Sequence, residues 1–310
     1  MNQIRFDDRV AIVTGAGGGL GRAHALLLAS RGAAVVVNDL GGSVDGVGGA
    51  FGAGGAGGDE AAAIRVVREI EAAGGRALAS FDDIATPAGA QRLADAALQA
   101  FGRIDVLINN AGILRDKTLA KMAPEDFEAV VRVHLLGSAW VSRAVLPAMQ
   151  QQQYGRIVMT TSAAGLYGNF GQSNYGAAKL AVVGLMHSLK LEAGKHGIHV
   201  NTVAPVALTR MTEGLPFARM LQEATPERVA AGVAFLASEQ CHFSGTVLAA
   251  GAGYFSTVRI VEGQGLHLAA DAVSPEAVAA HWAEIDAPDG ARPFVSAGDA
   301  LLGAFGRAST

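Results

Sequence analysis

Tyr175 and Lys179 stand four residues apart in the run SNYGAAKLAVVGLMHSL, with Ser162 upstream. On a helix that spacing puts both side chains on one face, so a phenol and an ammonium share one space. A free phenol titrates near pH 10, and bringing it to about 7 takes roughly 4 kcal/mol. A lysine cation about 5 Å away at an effective dielectric near 20 supplies roughly 3 kcal/mol of that. Tyr175 could then serve as general base towards an alcohol, or as general acid towards a ketone, with Ser162 holding the same oxygen. Taken alone, a Tyr and a Lys at this spacing describe a solvated helix face. The order of motifs argues otherwise: a glycine turn, Asn109-Asn110-Ala111-Gly112, Ser162, then Tyr175 and Lys179.

The segment RVAIVTGAGGGLGRAHALLLASRG reads as a buried strand over Val10 to Val13, a glycine turn and an amphipathic helix closed by Gly32. Gly15, Gly19 and Gly21, with Leu20 among them, form T-G-x-x-x-G-x-G. Glycine lets the backbone approach a pyrophosphate that rests on the positive end of the helix. No Lys-Ser/Thr pair follows, which argues against an NTPase phosphate loop. The next strand, AAVVVNDL, ends in Asp39, where a carboxylate accepts from the ribose 2'-hydroxyl of NAD and repels a 2'-phosphate. Arg22 is the residue that could argue for NADP; it also reads as an exposed helix arginine. Together these features predict hydride transfer to or from NAD.

With 310 residues, half of them apolar, and a net charge of −4, the chain can bury a large core and offers nucleic acid no basic face. No apolar stretch approaches the roughly 18 uninterrupted residues of a membrane span, and MNQIRFDD does not read as a signal peptide, so a cytoplasmic protein is expected. The single cysteine, Cys241, excludes an internal disulfide. His196 and His199 lack companions with metal-ligand spacing, so no metal is expected.

Strand and helix patterns alternate along the chain. Helices are expected over about 59–73, 89–100 and 124–150, around Tyr175 and after Pro226; strands over ALASFDD, RIDVLINNAG, GRIVMTTS, HVNTVAP and GTVLAAG. That alternation predicts an α/β fold: a doubly wound, Rossmann-like parallel sheet of about seven strands. Residues 1–253 form the catalytic domain and 254–310 a C-terminal extension packed on it or on a neighbouring subunit, with a helix over Pro275 to Ile285 capped by Ser274. The glycine-rich stretch Gly41 to Gly58 reads as a surface loop or as part of the binding of an adenine-bearing ligand. The stretch Thr209 to Thr225 reads as a substrate lid, whose Met211, Leu215, Phe217 and Met220 face either substrate or the protein's own core.

From Arg9 to Gly253 the chain resembles the short-chain dehydrogenase/reductase family, on Thr14 with Gly15, Gly19 and Gly21, Asn109 to Gly112, Ser162, Tyr175 and Lys179. Within it, VVVNDLGG, NNAGILRDKTLAKM and YGRIVMTTSAAGLYGNFGQSNYGAAK look most like the (3R)-hydroxyacyl-CoA dehydrogenase units of peroxisomal multifunctional enzyme type 2 and bacterial stand-alone relatives. The resemblance implies that Ser162, Tyr175 and Lys179 are catalytic and that Asp39 selects NAD. It implies that Asn110, Ala111 and Gly112 line the adenosine ribose and that Asp83, or its neighbour Asp82, meets the adenine edge. Lys179 also bonds the nicotinamide ribose, and Pro205 and Thr209 lie by the carboxamide, although Val206 stands where the family commonly has glycine. His134 replaces the asparagine that supports a proton-relay water in many members. It either preserves the relay, through its backbone carbonyl, or is a buried histidine bonded elsewhere. The implied substrate is a 3-hydroxyacyl-CoA or a hydroxysteroid, and the implied assembly a homodimer or homotetramer. A catalytically silent NAD-binding sensor or assembly module is the alternative of another class, against which the intact Ser162, Tyr175 and Lys179 argue.

Overall fold

Buried, almost unbroken apolar runs build the central strands. β1 (Val10–Thr14), β2 (Ala34–Asn38), β4 (Val106–Asn109) and β5 (Gly155–Thr160) are buried at every position, the composition of parallel strands covered on both faces. In the computed structural model, which describes residues 3–46, 60–207 and 223–305, they join β3 (Arg76–Ser80), β6 (Ile198–Val206), β7 (Val247–Gly251) and β8 (Tyr254–Val258). The order is β3-β2-β1-β4-β5-β6-β7-β8, and every pair from β3 to β7 is parallel.

The eighth strand, beyond the expected seven, arises from a turn. Ala252 and Gly253 both have positive φ, 50° and 85°, the conformation of a two-residue hairpin connection. A sequence pattern read for strand–helix alternation has no place for a hairpin there.

One face carries α1 (Gly19–Ser30), α2 (Glu60–Ala72) and α8 (Pro226–Ala237); the other carries α3 (Pro87–Phe101), α4 (Pro124–Val131), α5 (Gly137–Gln152) and α7 (Ser173–Ala193). The short α6 (Ala163–Tyr167) precedes α7. Helix α3 starts two residues before its expected position because Thr86 accepts from the Gly89 N–H at 3.1 Å and Pro87 occupies the first helical position. The expected long helix is one continuous run, Pro124–Gln152, widened to a π turn over Arg132–Leu136. By length and composition that run could cross a membrane; here it lies against α3 and α7.

Residues divide into two units, Met1–Thr257 and Val258–Thr310. The first holds the sheet. In the second, Ser274 caps α9 (Pro275–Ala280) by accepting from the Ala277 N–H at 3.0 Å. A break at His281 separates α9 from α10 (Trp282–Ile285), so the single helix expected there is two, and α11 (Ala297–Phe305) follows. Thr209 and the four apolar residues assigned to a lid lie outside the described residues, as does most of the glycine-rich stretch beyond Gly46.

His24 on α1 is buried, its Nδ1 has no partner among the described residues, and burial pushes its pKa down to about 4. The folded chain therefore holds it neutral while the unfolded chain protonates it near 6.5. Stability is fully present above that value and falls as pH drops towards 4, by about 3 kcal/mol at the limit. His24→Leu should flatten the acid limb of a stability-against-pH curve from chemical denaturation; an unchanged limb would refute the assignment.

Candidate active site

The sheet order reverses between β1 and β4, and the cleft opens at their carboxyl ends, as open α/β sheets require. Thr14, fully buried, closes the bottom of that cleft. Its Oγ1 accepts from the N–H groups of Asn110 at 3.0 Å and Ala111 at 3.1 Å. The Asn110 amide returns bonds to the carbonyls of Thr14 and Gly15, at 3.0 and 3.2 Å. Gly15 has a φ of +62°, and a Cβ there would stand 2.7 Å from the Ala111 Cα; only glycine lets the two segments meet. Gly18 caps α1 without a side chain, and the first turn holds no acidic residue. Its N–H groups are left to an anion.

A cavity of about 650 Å³ runs along this cleft. Gly15, Gly19 and Leu20 line its floor, with Asn110, Ala111 and Gly112 beside them; Asp39 and Asp83 stand at one end, and Tyr175, Lys179 and Pro205 line it too. Gly21 is buried behind the turn. The Asp39 carboxylate accepts from the N–H groups of Gly17 at 2.8 Å and Gly41 at 2.9 Å, tying the end of β2 to the glycine turn. Asp82 is held by Ser80 and by Arg92, the latter at 2.7 Å. Asp83 accepts from the Ala85 N–H through one oxygen, at 2.9 Å. Arg22 pairs with Glu69 on α2.

On the opposite side, Ser162 caps α6, its Oγ accepting from the Ala164 N–H at 3.2 Å. Lys179 is buried, and its Nζ donates to the Thr160 carbonyl at 2.7 Å. That nitrogen lies 5.6 Å from the centre of the Tyr175 ring. Burial is the largest influence on both groups. Burial raises Tyr175 above its ordinary value, Ser162 pulls it back and Asp116 pushes it up. Burial also brings Lys179 down to about 7.

His134 lies in the π turn, buried beneath Gly112, where a Cβ would come 2.1 Å from its Cε1. Its Nε2 sits 2.8 Å from the Ile113 carbonyl and 3.1 Å from the Ile113 N–H. Its ring meets the Tyr175 ring edge-on at 5.2 Å. Burial and nearby Lys179 push it well below the usual histidine range, so it is neutral. Its carbonyl, the atom considered for a relay, accepts the Ser138 hydroxyl at 2.7 Å. Sequence reasoning missed Arg115, Asp116 and Asn174, which surround the start of α7; only the adjacency of Asn174 to Tyr175 could have flagged any of them.

The family model described as short chain dehydrogenase matches residues 54–216. A protein of Mycobacterium tuberculosis described as a short-chain type dehydrogenase/reductase is 48% identical, over 92% of this chain and 96% of its own. This chain belongs to the short-chain dehydrogenase/reductase family, oxidoreductases that act on CH–OH groups. The peroxisomal multifunctional enzyme type 2 of Mus musculus is 46% identical over 91% of the chain, which spans only 37% of that protein. Among solved structures, a 7α-hydroxysteroid dehydrogenase complexed with NADH and 7-oxo glycochenodeoxycholic acid is 30% identical. It has a TM-score of 0.68 and covers 80% of this chain, which spans 95% of it.

The His134 Nε2 faces both polar groups of Ile113 and bonds one of them, accepting from the N–H or donating to the carbonyl according to its tautomer. His134→Asn should melt close to the parent chain, because its side chain offers a donor and an acceptor. His134→Ala leaves that Ile113 group without its partner and should lose about 1–3 kcal/mol. Equal melting temperatures for the parent and the alanine variant would show that the ring carries no such role.

Proposed function

We propose that this chain oxidises a secondary alcohol to a ketone with NAD, and that its substrate is a 3-hydroxyacyl-CoA. The observation that carries this reading is a single cavity lined by Asp39 at one end and by Tyr175 and Lys179 elsewhere along it. Its residues suit a dinucleotide: an uncapped helix start for phosphates, a carboxylate for the ribose hydroxyls, and a wall of backbone from Asn110 to Gly112. When bound, the dinucleotide would supply the hydride acceptor, and the positive charge of its nicotinamide ring would favour a phenolate at Tyr175. Tyr175 then receives the proton of the substrate hydroxyl, and Ser162 holds the same oxygen by hydrogen bonding. Lys179, anchored on the Thr160 carbonyl, orients the ribose and supplies a proton-carrying group beside the phenol.

NAD rather than NADP is supported by two features. The Asp39 oxygens each keep lone pairs beyond their backbone bonds, and Arg22 is engaged by Glu69 instead of being poised for a 2'-phosphate. Acyl-CoA rests on the similarity to the mouse multifunctional enzyme; the hydroxysteroid dehydrogenase structure favours a free steroid as the second reading. An assembly of two or four copies is supported by the exposed Leu180 and Leu191 on α7.

NADH formation should be followed with (3R)- and (3S)-3-hydroxyacyl-CoA of several chain lengths, with free hydroxysteroids, and with NADP in place of NAD. Turnover of an acyl-CoA is the expected result, and turnover of steroids alone would replace it. Tyr175→Phe should nearly abolish turnover while still binding NADH; undiminished turnover would remove Tyr175 from its role. Asp39→Ala removes a charged acceptor and should lower kcat/KM for NAD by about tenfold or more. It should also narrow the gap to NADP, and an unchanged NAD/NADP ratio would contradict the assignment.

A further inference from the structure

Arg115 has no part in the chemistry described above, yet it joins three segments far apart in the sequence. It follows β4 and lines the cavity beside Ser43, Val44 and Gly46, the described part of the loop that begins at Asp39. Its Nε donates to the Asp45 carbonyl at 2.9 Å. Its Nη1 meets the Asp126 carboxylate, in the first turn of α4, at 3.1 Å. Its own carbonyl accepts from the Asn174 amide at 3.0 Å. Asn174 is fully buried, and its Oδ1 accepts the backbone N–H of Tyr175 at 2.8 Å. Beside this bond the Leu114 N–H donates to the Val44 carbonyl at 2.9 Å.

The described part of the loop is thus held at two points: Asp39 holds Gly41, and the segment around Arg115 holds Val44 and Asp45. A guanidinium suits this task because its Nε and Nη donors diverge in one rigid plane, so one side chain can bond a carbonyl and a carboxylate together. An ammonium is a single point of charge on a flexible stem and cannot hold both in that geometry.

We propose that Arg115 is a positioning residue that couples the loop over the adenosine end of the cavity to the seating of Tyr175. Its side chain sets the loop, and its main chain, through Asn174, sets the first turn of α7. This inference rests on the reading of the cavity as the NAD site. It predicts that losing the Arg115 side chain lowers dinucleotide affinity through the loop and the rate through Asp126, whose carbonyl lies 3.5 Å from the Asn174 amide, whereas losing the Asn174 link lowers the rate alone.

The test compares Arg115→Ala, Arg115→Lys and Asn174→Ala in the full chain. NADH is titrated directly by its fluorescence, and kcat is measured at saturating NAD. Arg115→Ala should raise the Kd for NADH by about tenfold, the effect of losing a charge-assisted bond, and lower kcat as well. Arg115→Lys keeps a cation for Asp126 and loses the Asp45 carbonyl. It should recover kcat to within about twofold of the parent while the Kd stays raised. Asn174→Ala should show the opposite split, with kcat reduced about tenfold and the Kd within about twofold of the parent. Should Asn174→Ala fail to fold, the two Arg115 variants still decide the matter. Parent-like affinity in Arg115→Ala would overturn the inference, and so would parallel losses of kcat, affinity and melting temperature in both Arg115 variants. A parent chain that binds no NADH would instead overturn the NAD reading, and this inference with it.

Discussion

The site depends on the junction made by the Thr14 hydroxyl where β1 and β4 part. That oxygen is fully buried, accepts from Asn110 and Ala111, and lies 3.4 Å from the Ile108 carbonyl it can donate to. Its bonds draw the glycine turn and the Asn110 segment together, and the remaining backbone of both segments is left facing the cleft. A hydroxyl suits this place because it offers two acceptor lone pairs and one donor on a short stem. An apolar residue of the same shape would leave two buried N–H groups unpaired. Everything further out follows from this junction: the floor for phosphates, the wall of Asn110 to Gly112, and the shelf over His134.

Beside Tyr175, Lys179 and His134 are buried. Tyr175, Lys179 and His134 are each displaced towards their neutral forms, with burial the largest cause in every case. The ammonium has one strong partner, a backbone carbonyl, and no carboxylate pairs with it among the described residues. Such an arrangement penalises any charge that stands there without compensation. It is therefore sensitive to a cationic ligand, which shifts the balance at Tyr175 by more than it would in water.

Features that depend on spacing along the chain are legible in the sequence itself. The turn from Gly15 to Gly21 follows a buried apolar strand, Asp39 ends the next one, and Tyr175 and Lys179 share a helical face. Each requires only local geometry. The π turn at Arg132–Leu136 has no such signature, since the side chains there have ordinary helical spacing and the widening answers to the packing of His134 beneath Gly112. The hairpin after Gly251 is hidden because alanine, here Ala252, rarely takes a positive φ. Asn174, Arg115 and Asp126 form their group from segments 11 to 59 residues apart, a distance at which residue type carries no pairing information. The same limit applies at Tyr175: proximity to Lys179 is legible in the spacing, but the burial of both groups is not.

Specificity has a different physical basis from the chemistry. The cavity is formed by backbone and by groups that act on any alcohol, so its geometry alone does not choose between an acyl thioester and a steroid. Selection has to come from side chains that reach beyond Tyr175. Tyr167 and Phe170, 73% and 90% exposed, stand on the segment between Ser162 and Tyr175. Gln172, in the same segment, bonds Asp116 at 2.6 Å and pairs Lys117 across a strand-like bridge. Asp116 also bears on Tyr175, because its negative charge opposes a phenolate. A substrate that brings a hydrogen-bond donor or a cation to Asp116 would ease ionisation of the phenol, and an anionic group placed there would resist it.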